Sequence, residues 1–291
     1  MKIRKLALTA LCLTLAFSLP FASSCAKQEA AAAETDNKTI VAVTILPQKA
    51  FVEAVCGDLA EVISVVPPGY SPENFEPTPQ QRETFSKASV YFTIGVPAEK
   101  TILPGLTNMN IVDLAEKVAA AYPDREFAPG SRDPHIWLSP KRAKVMVETI
   151  ASAMSALDAK NAQTYKENAK GYLKELDRAD AAIKETFQKV QNRKFVAFHP
   201  AYGYFADDYG LEMYALEENG KEATPKQLQD MIDLAKAENI KAIFCGAETD
   251  SRQSSAFAEE IGGEKVILDH LSDDYIPNLE RMAEAVAGAM Q

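Results

Sequence analysis

The chain of 291 residues carries 41 acidic against 31 basic side chains and only three histidines. So acidic a surface repels phosphate backbones, which argues against a nucleic-acid partner, and it leaves cations free to approach. The length exceeds what one compact core usually holds, and two domains are expected.

Residues 1–24 stand apart from the fold. Lys2, Arg4 and Lys5 form a basic start, Leu6 to Leu19 is an apolar run too short to span a bilayer comfortably, and FASS precedes Cys25. This reads as a signal peptide ending in a bacterial lipobox, with Ala22 where Leu is usual. Cys25 is then the lipidated mature N-terminus and membrane anchor; the alternative is ordinary secretion with cleavage nearby. Residues 25–37 are the anchor and a flexible tether, small and polar with nothing to bury. Without the three leader cations, 28 basic residues face 41 acidic ones, a mature net charge near −13. Cys56 lies in a helical pattern and Cys245 ends an apolar run in the other lobe, so both are expected as buried free thiols; the alternative is a disulfide between them in an oxidising compartment.

Residues 38–157 read as an N-terminal α/β lobe. TIVAVTIL (39–46) is a strand, and Gln48 to Leu59 has helical periodicity through Phe51, Val52 and Val55. Val62 to Val66 is a second strand, stopped by Pro67-Pro68-Gly69. The loop PPGYSPENFEPTPQQ holds five prolines and is neither helix nor central strand. A helix follows from Pro79 to Lys87, then strands at 90–94 and 110–114. Strands alternating with helices imply a parallel sheet. Residues 117–134 read as irregular and lead into DPHIWLSP.

Pro140 to Val190 is helical throughout. Its second part, within a linking segment 158–192, keeps an apolar stripe and is interrupted only by Gly171, the position where two helices could alternatively part. A helix of about thirty residues would span roughly 45 Å and form a rigid spine between lobes. Residues 193–291 repeat the alternation as a C-terminal α/β lobe. Strands fall at 195–198, 211–216, 240–245 and 266–268, and Thr224-Pro225 opens a helix with a cap and a proline at its first position. Tyr202, Tyr204, Phe205 and Tyr209 are expected to pack the helix after His199, Trp137 to fill a lobe interface, and Glu217 to Glu222 to form a solvated turn.

KFVAFHP (194–200) places His199 at the carboxyl end of a short buried strand, with Pro200 stopping the ladder. That rim is where open α/β sheets bind ligands. His135 and His270 also sit at the ends or edges of apolar runs. Two imidazoles with carboxylates from strand-end loops (Glu73, Glu76, Asp269) suit a divalent first-row cation, zinc favoured by imidazole and manganese by harder oxygen donors.

In TIVAVTILPQ, VPPGYSPENFEPTP, DPHIWLSP, the long helix, AFHPAYGYFADDYGL and VILDHL, taken in order, the chain resembles the zinc- and manganese-binding solute-binding lipoproteins of ABC importers. The resemblance implies two parallel-sheet βα lobes joined by a single long helix, and a receptor that captures a divalent metal between them. It further implies delivery to an ABC permease from the periplasm or the outer face of the membrane. A monomer and modest lobe movement are expected.

Carried over by motif, the metal ligands are Glu73, His135, His199 and Asp269. Glu73 stands where the family usually has His, and His199 where zinc members commonly have His and manganese members Glu. His270 stands where Pro is usual; neighbours on a strand face opposite ways, so His270 is not expected to join Asp269 at the metal. Glu76 reads as a group that fixes the loop. The expected cargo is Zn2+, alternatively Mn2+. A zinc hydrolase with Glu73 as general base is the competing class, but the chain has no HExxH and no nucleophile elbow, so an enzyme is not expected.

Overall fold

The computed structural model describes residues 38–217, 220–249 and 251–290. The leader, Cys25 and the tether lie outside them. Among the described residues no helix is long and apolar enough to cross a membrane.

In the N-terminal lobe β1 (Thr39–Val43), α1 (Leu46–Cys56), β2 (Ala60–Ser64), α2 (Pro79–Phe85), β3 (Val90–Thr93), α3 (Glu99–Ile102), β4 (Ile111–Asp113) and α4 (Leu114–Ala121) follow in turn. The strands pair in parallel in the order β2-β1-β3-β4. Valines and aromatics fill β1 and β3 because both faces of these central strands are covered: Val41, Val43, Tyr91 and Phe92 are all buried.

The segment expected to be irregular is more ordered than its composition suggests. Asp113 caps α4 by accepting from the Glu116 N–H at 2.9 Å, which carries the helix to Ala121. A small antiparallel ribbon follows, β5 (Glu126–Ala128) and β6 (Ser131–Arg132).

The linking region is two helices, α5 (Pro140–Leu157) and α6 (Ala162–Gln188). They part at Asp158, whose Oδ2 accepts from Asn161 Nδ2 (2.6 Å) and Tyr165 Oη (2.8 Å). Gly171 does not break α6, because Tyr165, Ala169, Leu176, Ala179, Ile183 and Phe187 bury one continuous face. At 27 residues α6 is about 40 Å long.

The C-terminal lobe runs β7 (Lys194–Ala197), α7 (Gly203–Tyr209), β8 (Glu212–Ala215), α8 (Pro225–Ala237), β9 (Ala242–Cys245), α9 (Arg252–Ile261), β10 (Glu264–Ile267) and α10 (Tyr275–Ala289). Its parallel order, β8-β7-β9-β10, repeats the first lobe strand for strand. The repetition reaches local chemistry. After the second strand of each lobe a T-P-x-Q segment starts a helix, Thr78 with Gln81 and Thr224 with Gln227, each a reciprocal capping box.

The lobes are not independent globules. One apolar cluster extends from Val41 in β1 through Trp137, Ile150 and Phe187 to Phe195, Phe244 and Met290. Helix α10 packs on α6, and its Tyr275 ring meets Phe51 of α1 edge-on at 4.6 Å. Cys56 and Cys245 are both buried, and burial pushes the Cys56 thiol up to about 12, with Asp158 adding to it.

Candidate metal centre

Both sheets point the carboxyl ends of their strands at one cleft, and the two best-placed histidines come from opposite lobes. His199 follows β7, where Pro200 turns the chain away from the ladder. His135 precedes the short turn Ile136–Leu138, and Ser139 and Pro140 then open α5. The two Nε2 atoms stand 3.2 Å apart with ring centroids at 5.1 Å. A cation bound to both at a zinc–nitrogen distance of about 2.05 Å would subtend roughly 100°, close to tetrahedral.

Glu73, carried by the proline-stiffened loop between β2 and α2, places Oε1 4.0 Å from His135 Nε2. One donor atom from each of Glu73, His135 and His199 falls within 4.8 Å of the other two. A cleft of about 680 Å³ opens beside them, lined in part by Glu73, His199, Phe127 and Glu217.

Each of the two histidines has a carboxylate behind it. His135 Nδ1 lies 2.8 Å from Asp133 Oδ1, which also accepts the His135 backbone N–H at 2.9 Å. His199 Nδ1 lies 3.1 Å from Glu217 Oε1. A carboxylate on Nδ1 keeps the proton there and aims the Nε2 lone pair into the cleft, the usual support for a metal-binding imidazole. Burial opposes charge on His199, but Glu217 on Nδ1, with Glu73 and Glu248 beyond it, outweighs burial and raises its pKa above the ordinary value. A proton and a metal ion therefore compete for this ring.

Two expectations change here. Neither Asp269 nor His270 falls within the 4.8 Å group; Asp269 is an exposed residue whose Oδ1 accepts the Leu271 N–H at 3.0 Å. Strand β10 ends at Ile267, so strand alternation does not govern this pair, and the buried residue of the two is His270. Its imidazole is buried, with ring centroids 6.2 Å from His135 and 6.1 Å from His199. Burial, and then the two neighbouring histidines, hold its pKa well below the ordinary value, so the ring is neutral. Burial likewise favours the uncharged form of Glu248, whose Oε1 stands 3.1 Å from His270 Nε2 without the alignment of a hydrogen bond.

The second change is Glu217, expected in a solvated turn and instead only 12% exposed at its side chain against His199. It stands two residues after the end of β8, at the rim that presents His199. Glu76 is exposed, in the same loop as Glu73. Trp137 does fill the lobe interface: it is fully buried and its Nε1 donates to the His270 carbonyl at 2.7 Å. The aromatics after His199 pack α7 as expected, and Tyr204 does more, donating through Oη to the Asp133 carbonyl at 3.2 Å.

Fold and site together define a two-lobed α/β binding protein with a metal-competent cluster between its sheets. Residues 41–289 match the family described as zinc-uptake complex component A, periplasmic (ZnuA), and the chain belongs to it. A putative metal-binding protein of Chlamydia muridarum is 30% identical over 258 residues, covering 87% of this chain and 92% of its own. The high-affinity zinc uptake system protein ZnuA of Bacillus subtilis is 27% identical over 252 residues, covering 81% and 79%. A crystal structure of ZnuA superposes with a TM-score of 0.83 at 35% identity, covering 88% of this chain and all of that one. Membership makes this a solute-binding component of a metal-uptake system rather than an enzyme.

Proposed function

We propose that the protein captures a divalent transition metal outside the cytoplasm, zinc in preference to manganese, and delivers it to an ABC permease in the membrane. Glu73, His135 and His199 are the ligands the geometry supports directly. Asp269, assigned by motif as a fourth, reaches the ion only if its carboxylate turns inward from the rim. In this reading Cys25 carries a lipid that keeps the receptor at the membrane, and the receptor works as a monomer.

The observation that carries the reading is the pair of Nε2 atoms 3.2 Å apart, contributed by opposite lobes and joined by a carboxylate. Such an arrangement is open to one small cation and leaves like-polarity nitrogens facing each other without one. Two buried imidazoles backed by carboxylates favour zinc, while Glu73 keeps the site accessible to harder ions. Because the ligands come from two lobes, a small shift of one lobe on the permease would separate them and release the cargo.

Apo protein is offered zinc and manganese together and its metal content read by elemental mass spectrometry, beside Glu73→Ala and Glu73→His. One equivalent of zinc, weakened in Glu73→Ala and retained in Glu73→His, is the expected result. Manganese retained over zinc would reassign the cargo, and no stoichiometric metal would end the reading.

A further inference from the structure

All three histidines of the chain meet at this cleft, although only two of them belong to the motif-derived ligand set. His270 is 4% exposed, and its Nδ1 has no hydrogen-bond partner among the described residues. Buried polar nitrogens are nearly always paired, so one left over marks a place where something binds. Glu248 Oε1, buried beside it, is also without a hydrogen bond.

The surroundings of His270 resemble those of the other two imidazoles, although its carboxylate contact is not aligned as a hydrogen bond. His135 has a carboxyl oxygen 2.8 Å from one ring nitrogen (Asp133), His199 has one at 3.1 Å (Glu217), and His270 has one at 3.1 Å (Glu248). In all three the second nitrogen is left over. For His135 and His199 the leftover atoms are the convergent Nε2 pair; for His270 it is Nδ1.

The position also fits. The His270 centroid is 6.1 and 6.2 Å from the other two rings, which are 5.1 Å from each other, so the ring flanks both almost equally, although its nitrogens lie outside the 4.8 Å span that groups the donors of Glu73, His135 and His199. Gly246, at the end of β9, makes room for it, since a Cβ there would lie 2.8 Å from His270 Cε1 and 2.4 Å from Glu248 Oε1.

We infer that His270, backed by Glu248, is the fourth ligand of the captured metal, taking the place that the motif assigns to Asp269. The bound ion then has three nitrogen donors and one carboxylate oxygen from Glu73, and the His270 ring moves inward on binding to complete the shell. This rests on the metal-receptor reading above and adds the donor that sets its metal preference. A nitrogen-rich, four-coordinate shell suits zinc and disfavours manganese.

X-ray absorption fine structure on the zinc-loaded full-length protein counts imidazole ligands directly. Three imidazoles are expected in the wild type and two in His270→Gln, with zinc affinity falling by about 10–100-fold in that variant. Asp269→Ala is expected to keep three imidazoles and bind zinc within about three-fold of the wild type. Stoichiometric zinc held by only two imidazoles in the wild type overturns this inference alone, whatever becomes of the variant's folding. An Asp269→Ala loss larger than that of His270→Gln also overturns it. A wild type that binds no zinc at all fails the receptor reading itself, and this inference with it.

Discussion

Glu99 shows how one buried acid can organise a strand end without touching the cargo. It is 5% exposed at the carboxyl end of β3, where its oxygens accept the N–H groups of Ile94 and Gly95, each at 2.8 Å, and the Thr44 hydroxyl. Burial raises its pKa above the ordinary 4.5, only partly offset by those three donors. Between 4.5 and the raised value the folded protein holds a proton that the unfolded chain has released. Stability therefore falls as pH rises through that window. Urea unfolding of the metal-free protein from pH 4.5 upward should show the wild type losing ground against Glu99→Gln. A difference that stays flat with pH would show that the carboxyl keeps its ordinary affinity for protons in the fold.

At the scale of elements, the β5–β6 ribbon is a clasp between lobes. Arg125, just before β5, forms a two-pronged ion pair with Asp207 of α7, both contacts at 2.9 Å, and its Nε lies 3.6 Å from the buried Oδ2 of Asp133. Its backbone N–H is accepted by the Tyr204 hydroxyl at 2.8 Å. Gly203 is required at this crossing, because a Cβ would come within 2.2 Å of Arg125 Nε. Asp133 in turn holds His135, so the clasp and a proposed metal ligand share one carboxylate.

The exposed half of the clasp is worth little: Asp207→Ala should cost under about 1 kcal/mol. Arg125→Ala strips the cation paired with a fully buried carboxylate and should cost about 1–3 kcal/mol. Denaturant titration separates the two, and equal costs would show that Asp133 does not depend on Arg125. The helix starts make a simpler contribution. Ser139, Thr78 and Thr224 each cap a helix that opens with proline, contributing about 1 kcal/mol apiece.

Across the whole molecule, the shared core and the return of α10 onto α6 and α1 leave little freedom for a wide opening between lobes. Release by a small relative shift follows from that packing, since donors from both lobes lose their common centre within a fraction of the cleft width. Binding should also stabilise the fold measurably, because the ligands converge only in the folded chain. Zinc at a hundred times its Kd adds about 2.7 kcal/mol, which for a chain of this size is a Tm rise of about 5–10 °C, reversed by a chelator. Calorimetry that finds no rise with zinc would place the metal elsewhere or nowhere.

The order of strands and helices, their stops and the rim position of His199 were legible in the sequence because they depend on local patterning. Apolar runs of four or five residues, prolines after strands and T-P helix starts act within a few residues of chain. The motif order likewise marked Glu73 and His135 and the family to which the chain belongs. Where the α5–α6 break falls was not legible, because Gly171 is tolerated inside α6 only by virtue of the face that α6 buries. The roles of Glu217 and Glu248 were hidden for a related reason, since an acidic residue after a strand looks solvated until the opposite lobe covers it. The pair Asp269-His270 is the clearest case. Strand alternation suggested that they face opposite ways, but both lie beyond β10, and only the lobe interface, with Trp137 holding the His270 carbonyl and Asn278 the Asp269 carbonyl, decides that the imidazole turns inward.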